Sequence, residues 1–365
     1  LDRGAEIMVR VYPTGGFDAP APWKDAIPCT AMIYKEGSQI VARYGEYGGV
    51  ISQGTDAATV IQDAIDYGTG SVFIRSGTYT ISSKISVKGN LSIFGENMNS
   101  TVLELDNGVN DSLIGAAPTS NEFFFTMAHI SLRGNKPNNT AGSGMEISGH
   151  LKDVQLDHVF IDAFAEHGVY IYDNAAWCPT FTNVVVEHCG KDGIVLSGQG
   201  RARLVSCFLA YNAWHGLEVQ SLFVNATECS FYQNSQNGVY INGNLSQING
   251  CEASENAWMG VQVASDYCII SNLVAYGASA QDYPVELTSS SSKCFVGEVI
   301  ASDHATSDEV HDLGTSNVIL GLSKEAAGSG GTPTAGNYWI GTIVHNTDDN
   351  TFWIKDTGGT MRKLA

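Results

Sequence analysis

Two carboxylates, Asp192 and Glu218, fall on successive repeats of this chain, with His215 between them and Lys191 beside the first. That set suits chemistry on a glycosidic bond. Glycoside hydrolysis uses an acid and a base or nucleophile, with carboxyls about 5–5.5 Å apart for retention and about 6.5–9.5 Å for inversion. An imidazole and an ammonium close by would shift the pKa of one carboxyl and give the pair unlike roles. A second reaction is open to the same residues. Lys191, His215 or Tyr240 would serve a polysaccharide lyase as the base, with a cation neutralising the uronate. Hydrolysis ranks ahead, because a net charge of −19 disfavours a polyanionic substrate unless calcium intervenes. No cofactor is required for hydrolysis, and Ca2+ enters only in the lyase reading.

An internal repeat must position these groups. Gly144, Gly168, Gly193, Gly216, Gly238 and Gly260 follow one another at intervals of 24, 25, 23, 22 and 22. Each precedes an apolar–variable–apolar triplet, from Met145-Glu146-Ile147 to Val261-Gln262-Val263, which is the alternation of a strand with one buried face. A second inward pair lies seven and nine residues before the last five glycines: Val159/Ile161, Val184/Val186, Cys207/Leu209, Cys229/Phe231 and Cys251/Ala253. Asn212, Asn234 and Asn256 stand four residues before the last three, where a turn side chain can bond neighbouring backbone. Two or three short strands per unit leave no room for a crossover helix. The expected fold is therefore a coil of strands stacked on like coils, an all-β parallel β-helix. A leucine-rich pattern is absent, and a propeller blade needs about 40 residues.

Stacking the coils on their glycines sorts the outward side chains. Two residues after each glycine come Glu146, Tyr170, Val195, Glu218, Tyr240 and Gln262. Just before each come Ser143, His167, Asp192, His215, Asn237 and Met259, and two before, from the second coil, Glu166, Lys191, Trp214, Gln236 and Trp258. These rows predict one patch up a single face. Sugar rings offer apolar C–H faces to aromatics, so His167, Tyr170, Trp214, Tyr240 and Trp258 are the expected substrate-binding residues. The competing account is a face covered by loops or by another subunit.

Composition excludes other classes. With 38 acidic against 19 basic residues and no basic cluster, a nucleic-acid surface is not expected, nor an anionic membrane surface. No apolar run approaches a membrane span of about 18 residues. Forty glycines indicate many turns. Cys207, Cys229 and Cys251 recur at intervals of 22 with no CxxC pair, which predicts a stacked interior column and no metal. Asp157, Asp162, Glu187 and His188 fall on another face, and Asp303, His304, Asp308, Glu309, His311 and Asp312 fit no metal-ligand spacing.

The end of such a stack must be capped. Asp56 reads as an N-cap, followed by the apolar stripe Ala57, Val60, Ile61, Ala64 and Ile65, so a capping helix is expected at 55–67. The remaining boundaries are an N-terminal segment at 1–42, the β-helix at 43–325, a Gly/Ser-rich linker at 326–337 and a β-hairpin module at 338–365. Gly54-Thr55-Asp56-Ala57-Ala58-Thr59-Val60-Ile61 resembles the capping helix of pectate-lyase-like right-handed parallel β-helix proteins, and Ser76-Gly77-Thr78-Tyr79 and Leu91-Ser92-Ile93-Phe94-Gly95-Glu96 resemble that superfamily's first coils. Gly341-Thr342-Ile343-Val344-His345-Asn346 is similar to terminal modules of viral tail fibres and tailspikes. The resemblance implies a glycan-degrading enzyme, a homotrimer, and a place outside the cell or on a virion surface. Its alternative is a non-catalytic glycan-binding adhesin or a structural spike. The adjacent Asp pair of polygalacturonase-like members has a counterpart only at Asp348-Asp349, in the hairpin, and Glu166-His167-Gly168 echoes their Gly-His-Gly.

Overall fold

The computed structural model describes residues 29–320 apart from 46–47, 69, 174–176, 199, 278–280 and 306–309, and the strand backbone at 322–325, 343–346, 351–355 and 361–363. The expected linker and residues 1–28 lie outside the described residues. Most coils contribute three short strands, and in two coils the first two run together as Glu122–Arg133 and Leu151–Asp162. One coil runs Arg203–Val205, Phe208–Ala210 and Leu217–Val219, and the next runs Asn225–Thr227, Ser230–Tyr232 and Val239–Ile241. The two coils pair in parallel at a fixed offset of one repeat, as in Leu204 on Ala226, Leu209 on Phe231 and Glu218 on Tyr240. The first two strands of every coil build one sheet. The third strands build another of ten, from Ile85–Ser86 to Val310–Asp312.

Three-residue strands are too short to be stable alone, so the coils hold through stacking. Inward residues form columns: Val186, Leu209, Phe231 and Ala253 in one, Ile171, Leu196, Val219, Ile241 and Val263 in another, all buried. The corner between the first two strands is turned by one left-handed residue per coil: His158, Asn183, Ser206, Glu228, Gly250 and Asn272, with φ between 51° and 61°. Asn212, Asn234 and Asn256 are buried and form a ladder. Asn212 Nδ2 donates to Asn234 Oδ1 at 3.0 Å and Asn234 Nδ2 to Asn256 Oδ1 at 3.1 Å, while the same oxygens accept the backbone N–H groups of Asn212 and Asn234. Every polar atom of that column is thereby satisfied inside the core. Cys207, Cys229 and Cys251 are buried, as their spacing predicts, and are free thiols.

The helix spans Ala57–Asp66, and Asp56 Oδ2 accepts the Thr59 N–H at 3.2 Å as its N-cap. Its buried face, which includes Val60, Ile61, Ala64 and Ile65, closes the first end of the core. Strand pairing reaches back into the expected N-terminal segment: Ala31–Glu36 pairs antiparallel with Gln39–Tyr44 and parallel with Gly70–Ile74. Beyond the solenoid, Ile343–Asn346 and Thr351–Lys355 pair antiparallel, with Met361–Lys363 and Leu322–Glu325 on either side. Among the described residues no helix is long and apolar enough to cross a membrane.

Candidate functional site

The outward row of the ten-stranded sheet is in register from rung to rung: Gly115, Glu146, Tyr170, Val195, Glu218, Tyr240, Gln262 and Glu286. Strand alternation puts these side chains outside, and parallel pairing spaces them by about 4.8 Å. The row before each glycine behaves differently, because it sits in the turn that enters the strand. Side chains there lie along the stack and accept backbone N–H groups of the next coil. Ser143 Oγ accepts from His167 N at 3.3 Å, Asp192 Oδ1 from His215 N at 2.9 Å, His215 Nδ1 from Asn237 N at 3.1 Å, and Asn237 Oδ1 from Met259 N at 3.1 Å.

His167 departs from that pattern. Its Nδ1 lies 3.2 Å from Asp192 Oδ2, an ion-pair approach off the in-line hydrogen-bond direction, and both atoms are buried without another partner. Its ring sits 5.0 Å from that of Tyr170 and 6.5 Å, edge-on, from that of Trp214. Lys191 Nζ binds Glu166 Oε1 at 2.6 Å and hangs 5.9 Å over the Trp214 ring. The His215 ring stacks on Tyr240 at 5.3 Å.

The electrostatics separate these groups. Burial pushes His215 below the ordinary imidazole range, opposed by the Asp192 charge. Its Nδ1 lone pair is occupied by the Asn237 N–H, so neutral His215 carries its proton on Nε2 and is a donor there. Burial raises the Glu218 carboxyl, and Asp192 adds to that, while the hydrogen bond from Gln220 Nε2 at 2.7 Å opposes it. Burial and then the Asp173, Glu146 and Glu218 carboxylates raise the Tyr170 phenol, keeping it protonated. The Lys191 hydrogen bond holds Glu166 below the usual carboxylate range.

The sequence-predicted residues thus gather as Lys191, Asp192, His215 and Glu218 with His167, Tyr170, Trp214 and Tyr240. Trp258 stands exposed on the coil above. One expectation needs correcting. The sequence puts Asp192 on the outward patch as a substrate-facing partner of Glu218, whereas its side chain has no exposure at all and both oxygens serve the two flanking histidine residues. Residues outside the expected rows also join the site. Tyr172 stacks on Tyr170 at 4.5 Å and donates to Glu146 Oε1 at 3.0 Å, and Ser112 Oγ donates to Glu146 Oε2 at 2.7 Å. Tyr172 lies four residues after Gly168, so extending the alternation by one step would have found it. On the other sheet His188 meets Asp162 at 3.0 Å and Glu187 at 3.8 Å. Among the described residues no group of three or more His, Cys, Asp or Glu side chains is placed to hold a metal ion. Asp308 and Glu309 lie outside the described residues.

A sequence profile for the right-handed β-helix region matches residues 106–244 and 167–319. The mannuronan C5-epimerase AlgE3 of Azotobacter vinelandii is 25% identical over 222 residues, covering 54% of this chain and 12% of that protein. The chain therefore spans a small part of that relative's length. Among solved structures, the ORF18 protein of Geobacillus virus E2 superposes with a TM-score of 0.63 at 13% identity, over 84% of this chain and 82% of that one. The A-module of the Azotobacter vinelandii mannuronan C-5 epimerase AlgE4 gives 0.59 at 18% identity, over 80% and 85%. The enzymatically active domain of tailspike protein 2 of bacteriophage CBA120 gives 0.60 at 14% identity, over 73% and 44%. At these identities the structural likeness is one of fold.

Proposed function

This chain belongs to the right-handed β-helix family, and we propose that the outward face of its ten-stranded sheet binds a polysaccharide and moves a proton on it. The observation that carries the reading is the wholly buried Asp192 behind His167. A carboxylate 3.2 Å from Nδ1 favours the tautomer whose lone pair is on Nε2, the atom that would take up the proton. The protonated Tyr170 phenol beside that ring is the donor. Neutral His215 offers Nε2–H, and Lys191 an ammonium, to an acid group of the substrate.

This arrangement suits the proton alpha to a uronate carboxylate. Its removal to His167 leaves the electron pair delocalised onto the carboxylate. Return of a proton to the opposite face inverts the carbon, and expulsion of the sugar oxygen at the β position instead cleaves the chain and leaves an unsaturated uronate. The relative AlgE3 is named for C5-epimerisation of mannuronan, the first of these outcomes, and this supports the reading. A carboxylate-pair hydrolase fits less well. With Asp192 buried, the outward carboxyls in that row are Glu146, Glu218 and Glu286, each three rungs or about 14 Å from the next, beyond the roughly 9.5 Å limit for inversion. No step in this proposal runs through calcium. Such an enzyme would meet its substrate outside the cell or on a virion surface, and the homotrimer stays part of this proposal.

The test is a polysaccharide panel that includes mannuronan and polygalacturonate, run in D2O. The expected result is deuterium at C5 where a proton is returned, or the absorbance of unsaturated ends where the sugar oxygen is expelled and C5 keeps no hydrogen. New reducing ends with neither signal would overturn proton transfer in favour of hydrolysis. Binding without any chemistry would make the exposed Trp214 and Trp258 the anchors of an adhesin.

A further inference from the structure

Below the His167–Tyr170 site, toward the helix-capped end, the same face carries a cleft of about 230 Å³. Its lining includes Lys84, Ser86, Gly115, Glu146, Ser148 and Tyr172. We infer that this cleft is a sugar subsite that grips the vicinal hydroxyls of a pyranose unit next to the reacting one, an inference that rests on the polysaccharide reading above.

Gly115 creates the space. It occupies the outward row position that Glu146 and Tyr170 fill on the following coils. A Cβ there would come within 2.7 Å of Lys84 Cδ, so the missing side chain is what lets the lysine lie across the floor. Lys84 Nζ ends 3.0 Å from Asp111 Oδ1, with both side chains still partly open to solvent. On the opposite wall Glu146 is fixed by Ser112 Oγ and Tyr172 Oη, one donor to each oxygen, which leaves each oxygen an acceptor site to spare. The cleft therefore opposes one ammonium donor, Lys84, to carboxylate acceptors, with two serine hydroxyls beside them. Adjacent hydroxyls of a sugar, each both donor and acceptor, match that alternation.

An acid group matches it poorly, because Glu146 and Asp111 crowd the one ammonium of the cleft with negative charge. The subsite thus selects the hydroxyl edge of its sugar. Its position relative to the chemistry is fixed by the stacked Tyr170–Tyr172 pair, which is shared between the cleft wall and the His167 site. Gly115 and Tyr170 are two rungs apart, about 10 Å, which accommodates a linked pair of pyranose units running along the solenoid axis.

The experiment measures binding of mannuronate and galacturonate oligomers of two to six units to the wild-type chain and to Gly115→Met, Lys84→Gln and His167→Gln. Gly115→Met fills the cleft at the expense of a flexible lysine end. Lys84→Gln removes the ammonium without any demand on packing. Both should weaken the longer oligomers about tenfold, with no effect on those too short to reach the cleft, and should raise KM for the polymer more than they lower kcat. His167→Gln should do the reverse, abolishing turnover while keeping the length dependence of binding. Unchanged affinity for every oligomer in both cleft variants, in a wild-type protein that turns over the polymer, overturns the subsite and leaves the proton-transfer reading intact. Failure of the wild-type chain to bind any oligomer also overturns it, while deuterium exchange in the polymer panel judges the chemistry separately.

Discussion

Burying an ionised carboxylate costs several kcal/mol unless partners are supplied, and Asp192 has one for each oxygen. The Asp192 Oδ1 bond to the His215 backbone is structural, whereas the Oδ2 approach to His167 is spare geometry that a bound substrate can tighten. Asp192→Asn separates the two roles, since its amide oxygen can keep the first bond while the charge is lost. Turnover should fall by about 10²-fold or more, with the thermal midpoint shifted by a few degrees at most. Near-normal kcat in that variant would remove Asp192 and His167 from the mechanism. His215 gives a pH test. Its folded pKa is depressed by burial, so the unfolded chain binds the proton first as pH falls through the ordinary histidine value of about 6.5. Stability from this group is present above that pH and is lost as pH drops toward the folded value. His215→Asn retains an acceptor for the Asn237 N–H but does not titrate. Urea midpoints at pH 7.5 and 5.5 should therefore diverge less in the variant than in the wild type, and an equal divergence would assign the loss elsewhere.

At the scale of the coil, the buried asparagine column ties three turns to one another. Asn234→Ala would leave the buried Asn212 N–H without its acceptor and interrupt the chain of amide bonds. Orphaned buried groups cost about 1–3 kcal/mol each, so the expected loss is about 2–4 kcal/mol. Gln247→Ala, on the exposed side of its strand, should stay within about 0.5 kcal/mol. Denaturant midpoints decide between them, and a silent Asn234→Ala would mean that water replaces the amide. Strand order and register were legible because apolar pairs recur at a nearly constant interval, and a stack of coils converts that interval directly into columns. The turn row was not. Grouping Asp192 with the outward rows overlooks that the backbone is still turning there, so side chains lie along the stack. The signal that would have corrected it was chemical. Ser143, His167, Asp192, His215 and Asn237 all carry hydrogen-bond acceptors, as a row facing backbone N–H groups requires. The cleft at Gly115 was equally hidden, because its coil lies before the first glycine of the recognised repeat and its floor is defined by an absent side chain.

For the molecule as a whole, a solenoid of parallel strands is held by pairings between coils, and its weak point is its open end. The helix Ala57–Asp66 covers that end with Val60, Ile61, Ala64 and Ile65, and Ile61 has no solvent exposure. Replacing Ile61 by Asp puts an unpaired carboxylate against the first rungs. Nothing in the buried face Ala57, Ala58, Val60, Ala64 and Ile65 can bond it. The loss should exceed about 4 kcal/mol, and its consequence is more than reduced stability. Lifting the helix bares apolar strand ends that template pairing with another chain. The net charge of −19 opposes that association at low ionic strength, and salt screens the repulsion over roughly 10 Å at 0.1 M. Light scattering from Ile61→Asp should therefore rise with protein concentration and rise further with salt, while the wild-type chain stays insensitive to both. A variant that unfolds without associating, at every salt concentration, would show that the helix supplies packing energy alone and does not guard an edge.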